Sequence, residues 1–258
     1  MSRLRARCPD CRTLTAVGIG PDYQCHSCGR EFGAGLVRVP RAWGEGGETM
    51  AEAAWLELPY PEAGVVEASS LAEQTLAVAS ELPDRPLVLG GCCCAHLGAI
   101  ERLAGGDDTL AVVWIDAHGD LNTPETSPSG NAWGMPLRML LDEGAIEPGN
   151  VALVGARSLD PGEVEFIERA GVHTGDDAVE RALEGADAVY VAFDGDSVEP
   201  GELEVFMPEP GGLRLDELEE LLRLIAASRP VVGAGLTGLV RAPPNEPKLA
   251  RLCTALGL

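Results

Sequence analysis

Lysine is almost missing from this chain. Lys248 is its only lysine, arginine supplies the rest of the 19 basic side chains, and 41 acidic ones leave a formal net charge of −22. Such an excess of acid argues against a nucleic-acid or anionic-membrane surface for the body of the protein. Four of the 19 basic groups cluster at the start, at Arg3, Arg5, Arg7 and Arg12. A basic end on an acidic body has the charge to touch RNA or an acidic partner, but a solvated terminus is the plainer reading, and nucleic acid is the least favoured partner. Also lacking is any apolar run long enough to span a bilayer. No apolar segment follows the basic N-terminus, so it does not read as a secretory signal, and the expected location is cytoplasmic. Neither internal repeats nor low-complexity tracts occur. The 258 residues suffice for a sizeable core in one main domain with a small addition.

What is present is more specific. Val112-Val113-Trp114-Ile115 runs into Asp116-Ala117-His118-Gly119-Asp120, and Val189-Tyr190-Val191-Ala192-Phe193 runs into Asp194-Gly195-Asp196. Each apolar run reads as a buried strand. Charges beginning where a strand stops mark a site at the carboxyl end of a parallel sheet. Within each cluster the ionisable residues are two apart, so an extended backbone points them to one side. An aspartate after a strand is often only a turn residue or helix cap. Two such clusters, one with a histidine, favour divalent metal instead, because four converging carboxylates repel unless a cation neutralises them.

The eight cysteines fall in groups. Cys8-Pro9-Asp10-Cys11 and Cys25-His26-Ser27-Cys28 are two Cys-x-x-Cys pairs separated by 13 residues. Four thiolates on two knuckles complete a tetrahedral structural zinc, and the pattern resembles a zinc ribbon. With few apolar residues around them, these knuckles need the metal to fold. A redox role for either pair is less favoured, since neither sits between a strand and a helix. A ribbon of this kind serves structure or docking to a protein partner. Cys92, Cys93 and Cys94 are consecutive, and Cys253 reads as a small core residue.

Beyond the ribbon the pattern alternates. Strands are expected at Leu36–Val39, Pro86–Leu89, Leu110–Ile115, Val151–Val154, Ala188–Phe193 and Val231–Leu239. Helices are expected at Ala68–Leu82, Cys92–Ala104, from Pro136 to Leu141, Gly162–Ala170 and Leu213–Ala227, with a glycine-containing loop from Ala42 to Gly47. This predicts a three-layer α/β/α fold with a parallel sheet, plus the small ribbon, divided as residues 1–35 and 36–258.

Asp116-Ala-His118-Gly-Asp120-Leu-Asn122-Thr-Pro, then Ser129-Gly130-Asn131, Gly134 and Pro136, resemble the arginase, or ureohydrolase, superfamily. So does Phe193-Asp194-Gly-Asp196-Ser-Val-Glu199-Pro200. The resemblance covers Pro86 to Pro243. It implies an arginase-like fold, a binuclear manganese centre, a trimer or hexamer, and hydrolysis of guanidino or related C–N bonds by a metal-bridging hydroxide. By position it makes Asp116, His118, Asp120, Asp194 and Asp196 metal ligands, with Asp116 and Asp194 bridging. Asp120 and His118 then carry the catalytic centre. It implies that Asn122 and Ser129 hold the amino-acid end of a ligand, that Ser127 and Asn131 act through water, and that Asp160 faces an ammonium group.

Three positions depart from the family pattern. Cys93 stands where the family's Gly-Gly-Asp-His motif supplies a metal-binding histidine. A thiolate there favours zinc, iron or cobalt over manganese. His96, one helical turn on, either reaches the site or packs in the core. The cysteine run is also a candidate for oxidation. Trp133 replaces the proton-shuttling histidine, and an indole cannot titrate. With only four histidines in the chain, few could substitute. Val240 replaces the glutamate that pairs with a guanidinium, which would then be left unpaired.

The metal cradle and the amino-acid end are therefore retained while the guanidinium end is rebuilt. The expected activity is that of an arginase- and agmatinase-like metal-dependent hydrolase cleaving a C–N bond of a small amino-acid-like substrate other than arginine. One or two divalent metals are expected at the acidic site, with Cys93 as an added ligand, and a neutral or apolar distal group is expected near Trp133 and Val240. The alternative is an inactive ligand-binding or scaffold protein that recruits a partner through its ribbon.

Overall fold

A computed structural model describes residues 5–106 and 108–258. The expected ligand positions all lie among them, whereas Arg3 of the basic N-terminus lies outside. Four short strands come first: β1 (Arg5–Ala6), β2 (Ala16–Ile19), β3 (Asp22–Cys25) and β4 (Glu31–Phe32). They form an antiparallel sheet in chain order. Its small core is Ala6, Ala16, Tyr23 and Phe32 with the Cys8 and Cys25 side chains.

The larger sheet contains β5 (Gly35–Val39), β6 (Glu62–Val65), β7 (Pro86–Gly90), β8 (Leu110–Ile115), β9 (Val151–Val154), β10 (Ala188–Asp194) and β11 (Val231–Thr237). Its order is β6-β5-β7-β11-β10-β8-β9, and every pairing is parallel. Between the strands run α1 (Glu48–Ala53), α2 (Leu71–Glu81), α3 (Leu97–Ala104), α4 (Pro136–Asp142), α5 (Pro161–Ala170), α6 (Ala178–Leu183) and α7 (Leu215–Ser228), and α8 (Asn245–Ala255) follows β11.

The apolar runs are continuous because both faces of the sheet are covered. Alternate residues of β8 and β10 go to opposite layers. Val113, Ile115, Val191 and Phe193 pack with α7 and α8 residues such as Leu218, Leu222 and Leu249. Val112, Trp114, Tyr190 and Ala192 pack with α2–α5 residues such as Val78, Ile100, Leu137 and Phe166.

Several expected elements are corrected in extent. The helix expected from Cys92 begins as a 3-10 turn, Cys93–His96, and becomes α-helical only at Leu97. All four residues of that turn are buried at the end of β7, where a tighter turn fits the packing. The helix expected from Ala68 starts at Leu71, because Ser70 caps it through a bond from the Glu73 amide at 3.2 Å. The last strand stops at Thr237 rather than Leu239, since Gly238 turns with φ +66°. Strand β6 and helices α1, α6 and α8 are additions to the expected set. The first three are too short for a clear period, whereas α8 is masked by Pro243 and Pro244 before it and Pro247 in its first turn.

The N-terminal sheet is fastened to the edge strand β6. Arg7 and Glu62 exchange backbone hydrogen bonds at 2.9 and 3.0 Å. Arg38, buried on β5, bonds the Glu62 carboxylate at 2.7 Å, the Leu56 carbonyl at 3.0 Å and the Ala54 carbonyl. One guanidinium thereby ties β6 to the segment after α1. Arg38→Met leaves those acceptors without a donor and is expected to cost about 2–4 kcal/mol. Thermal unfolding should show a loss of about 5–10 °C, and an unchanged midpoint would refute the tie.

Candidate metal centre

Parallel pairing sets Ile115 beside Phe193, so β8 and β10 deliver their acidic ends to one place. Asp116 follows β8 and Asp194 ends β10. The backbone amides then orient the carboxylates. Asp116 accepts from the His118 amide at 2.7 Å, Asp194 from the Asp196 amide at 3.0 Å, and Asp196 from the Ala117 amide at 3.1 Å. Asp120 has φ +53°, a left-handed conformation rare outside glycine and concentrated at functional sites. Gly90 ends β7, and Gly91 and Cys92 lead into the turn that carries Cys93. Its sulfur lies 3.0 Å from Asp194 Oδ2, 3.1 Å from Thr237 Oγ1 and 3.7 Å from Asp116 Oδ2.

These groups open on a cavity of about 330 Å³. Cys93, Asp116, His118, Asp120, Asn122, Ser129, Asn131, Trp133, Asp160, Asp194 and Asp196 all line it, as does Ser127. Two overlapping sets hold donor atoms within 4.8 Å of one another: Cys93 with Asp116 and Asp120, and Asp116 with His118 and Asp196. Asp116 belongs to both. Asp194 is in neither set, and its oxygens face the Asp196 amide, Thr237 and Cys93.

Burial pushes up the carboxyls of Asp116, Asp120, Asp194 and Asp196, and neighbouring acids push the same way. Asp194 rises to about 7. Burial, then Asp194, Asp120 and Asp116, lift the Cys93 thiol well above its ordinary value. Burial opposes protonation of His118, but hydrogen bonds from its ring to Asp116 and Asp196 outweigh it and hold the imidazole at about 12. Its Nδ1 lies 3.1 Å from Asp196 Oδ2. Without a cation, then, this cluster retains protons that aspartates ordinarily lose.

The donors suit a divalent ion. Asp120 Oδ2 is buried with no hydrogen-bond partner, an arrangement that costs free energy unless something else meets it. Carboxylates and an imidazole are the ligands of manganese-type centres, and one thiol adds softness.

Several supports were not expected from the sequence. Glu163, buried, accepts from the Leu121 amide at 3.0 Å and the Asp160 amide at 2.9 Å, clamping the loop after β8 to the start of α5. Its place three residues after Asp160 is a capping signature. Arg157 donates to the carbonyls of Asp196 and Glu209, both at 2.7 Å, and holds the Glu209 loop at the rim. Glu209 Oε1 is 3.8 Å from His118 Nε2. Asn122 donates to Asp160 at 2.8 Å and accepts from Thr126 at 2.9 Å, so its amide is largely committed inside the protein. His96 packs in the core, fully buried, with Nδ1 3.1 Å from the Tyr190 hydroxyl and Nε2 3.3 Å from Thr237. The expectation that Val240 faces the cavity is corrected: it is not among the lining residues, and its amide bonds Glu204. The loop bridged to it, which carries Phe206 and Met207, supplies the wall instead, and Trp133 meets Phe206 edge to face at 6.1 Å.

The Arginase family model matches residues 49–244. The chain belongs to the arginase family. An arginase of Staphylococcus aureus is 35% identical over 177 residues, 58% of this chain. That alignment spans 59% of the relative's own length. The crystal structure of arginase from Bacillus cereus superposes with a TM-score of 0.73 at 25% identity, covering 86% of this chain and 97% of that one. Formimidoylglutamase from Bacillus subtilis shares the fold, with a TM-score of 0.68 at 21% identity over 87% of each chain.

At the N-terminus, Cys8, Cys11, Cys25 and Cys28 also hold their sulfurs within 4.8 Å. Cys8 and Cys28 are 3.8 Å apart, and Cys11 and Cys25 are 3.6 Å apart. Sulfurs about 2.3 Å from a tetrahedral zinc sit about 3.8 Å from each other, so the spacing fits that ion.

Two outcomes follow for this arginase-family chain. With the acidic centre free of metal, raised folded-state values for Asp194 and His118 mean stability present at low pH and lost as pH rises. Asp194 acts between 3.8 and about 7, and His118 above 6.5. Melting measured from pH 5 to pH 8 should fall by roughly 5–10 °C, and added divalent manganese should reduce the fall. A flat profile would refute the account. In Gly238→Ala the new Cβ would collide with the Asp194 carboxylate. Calorimetric titration should show at least about tenfold weaker metal binding; wild-type affinity would disprove the contact's role.

Proposed function

We propose that this chain is a divalent-metal-dependent hydrolase cleaving a non-peptide C–N bond in a small amino-acid-like molecule other than arginine. The observation that carries the reading is the unpartnered Asp120 carboxylate oxygen among four buried aspartates on an open cavity. Asp116, His118, Asp120, Asp194 and Asp196, with Cys93, would hold the metal ions, manganese being the usual ion of the family. When bound, such a pair makes water nucleophilic near neutral pH and polarises the bond to be cleaved.

The chain's own residues do the rest. Asp160 lines the cavity and supplies a negative charge for an ammonium group, while Ser129 and Asn131 offer hydrogen bonds to the remainder of an amino-acid-like end. Trp133, Phe206 and Met207 present an apolar wall that supplies neither a carboxylate to pair with a guanidinium nor an acid–base group. Residues 1–35 form a zinc ribbon in this reading, and residues 36–258 carry the hydrolase. The ribbon stabilises its own small sheet and offers a surface for a protein partner.

Trp133 on the wall and Cys93 among the ligands favour a second reading, an inactive ligand-binding or scaffold protein. An amidine and amide panel assayed with Mn, Zn, Fe or Co separates the two. The hydrolase reading expects turnover that Asp120→Ala lowers by at least about 100-fold. Elemental analysis finding ribbon zinc alone, with no turnover under any metal, would leave the scaffold.

A further inference from the structure

The two donor sets share Asp116 but are chemically unequal. Asp116, His118 and Asp196 offer only oxygen and nitrogen, whereas Cys93, Asp116 and Asp120 include a sulfur. That sulfur is fully inside the site: Cys93 is buried and aimed at Asp116 and Asp194, at 3.7 and 3.0 Å. Asp120, whose Oδ2 has no partner, belongs to this same set. The residues behind Cys93 keep it there. Thr237 Oγ1 lies 3.1 Å from the sulfur and 3.3 Å from His96 Nε2. His96 in turn meets the Tyr190 hydroxyl at 3.1 Å. A Cβ at Gly235 would strike the His96 ring, so the strand leaves room for it. His96 is thus held behind Thr237 and belongs neither to the cavity lining nor to a donor set.

We infer that the centre is a mixed one, in which the Cys93–Asp116–Asp120 site selects a thiophilic ion of the zinc, cobalt(II) or iron(II) kind and the Asp116–His118–Asp196 site takes a hard ion such as manganese. The inference rests on the hydrolase reading for the presence of metal and goes beyond it in dividing the two sites. One thiolate in a set of three protein ligands shifts selectivity toward soft and borderline ions, while carboxylate and imidazole leave manganese acceptable. Binding at the first site requires the Cys93 thiol to release its proton to solvent as the sulfur–metal bond forms, so uptake there liberates acid.

The test uses the full chain with zinc in its ribbon and cobalt(II) as the probe, comparing wild type with Cys93→Ser and Cys93→His. The ribbon thiols are common to all three proteins and cancel in difference spectra. Wild type minus Cys93→Ser is expected to show a near-ultraviolet sulfur-to-cobalt charge-transfer band that saturates with the acidic site. In competition between zinc and manganese, followed by elemental analysis, Cys93→His should shift the site toward manganese by at least about tenfold. Cobalt uptake beyond the ribbon without a difference band, or unchanged competition in Cys93→His, would overturn the mixed centre and leave the hydrolase reading standing. Failure of all three proteins to take up any metal beyond ribbon zinc would overturn both.

Discussion

Mutual repulsion among buried carboxylates is the constraint around which this molecule is organised. Asp116, Asp120, Asp194 and Asp196 stand where water is scarce, and each is driven toward its protonated form by burial and by neighbouring acids. Folding alone does not relieve this. Backbone amides of Ala117, His118 and Asp196 take up some of the charge, and the His118 ring takes up more. One Asp120 oxygen remains unmet. A rigid parallel sheet is what allows so unfavourable a gathering, because the hydrophobic layers on its two faces supply the free energy that the site costs.

The surroundings of the cluster divide into fixed and variable parts. The fixed part is the frame: the β8 and β10 ends, the Glu163 clamp and the Arg157 tie to the Glu209 loop. The variable part is chemical. A sulfur stands among the oxygens, and an indole and a phenyl ring meet edge to face in the cavity wall. Arginase-family membership accounts for the fold on which this frame is built. It says less about substrate, because fold and function are separable and the cavity wall sets specificity.

Much of this is legible in the chain itself. The runs ending in Asp116 and Asp194 announce buried strands with charged carboxyl ends, since only parallel strands covered on both faces are apolar throughout. Cys8, Cys11, Cys25 and Cys28 are equally plain, because ligand spacing is local. Less legible were β6 and α6, short elements whose stability comes from docking rather than from a period of their own. Glu163 and Arg157 carried weak signals; a capping pattern and an ordinary loop arginine do not reveal that both reach the site.

Sequence alone settles which chemistry is available: four aspartates, one histidine and one cysteine at positions that strands deliver to one edge, and four thiols at ribbon spacing. Local periodicity and covalent proximity are enough for that. Tertiary structure decided which of these groups meet. It placed Asp116 in both donor sets, turned His96 into the core behind Thr237, and gave the cavity wall to Phe206 and Met207 rather than Val240. Those outcomes depend on strand order and on packing between residues distant in the chain, which no local pattern encodes.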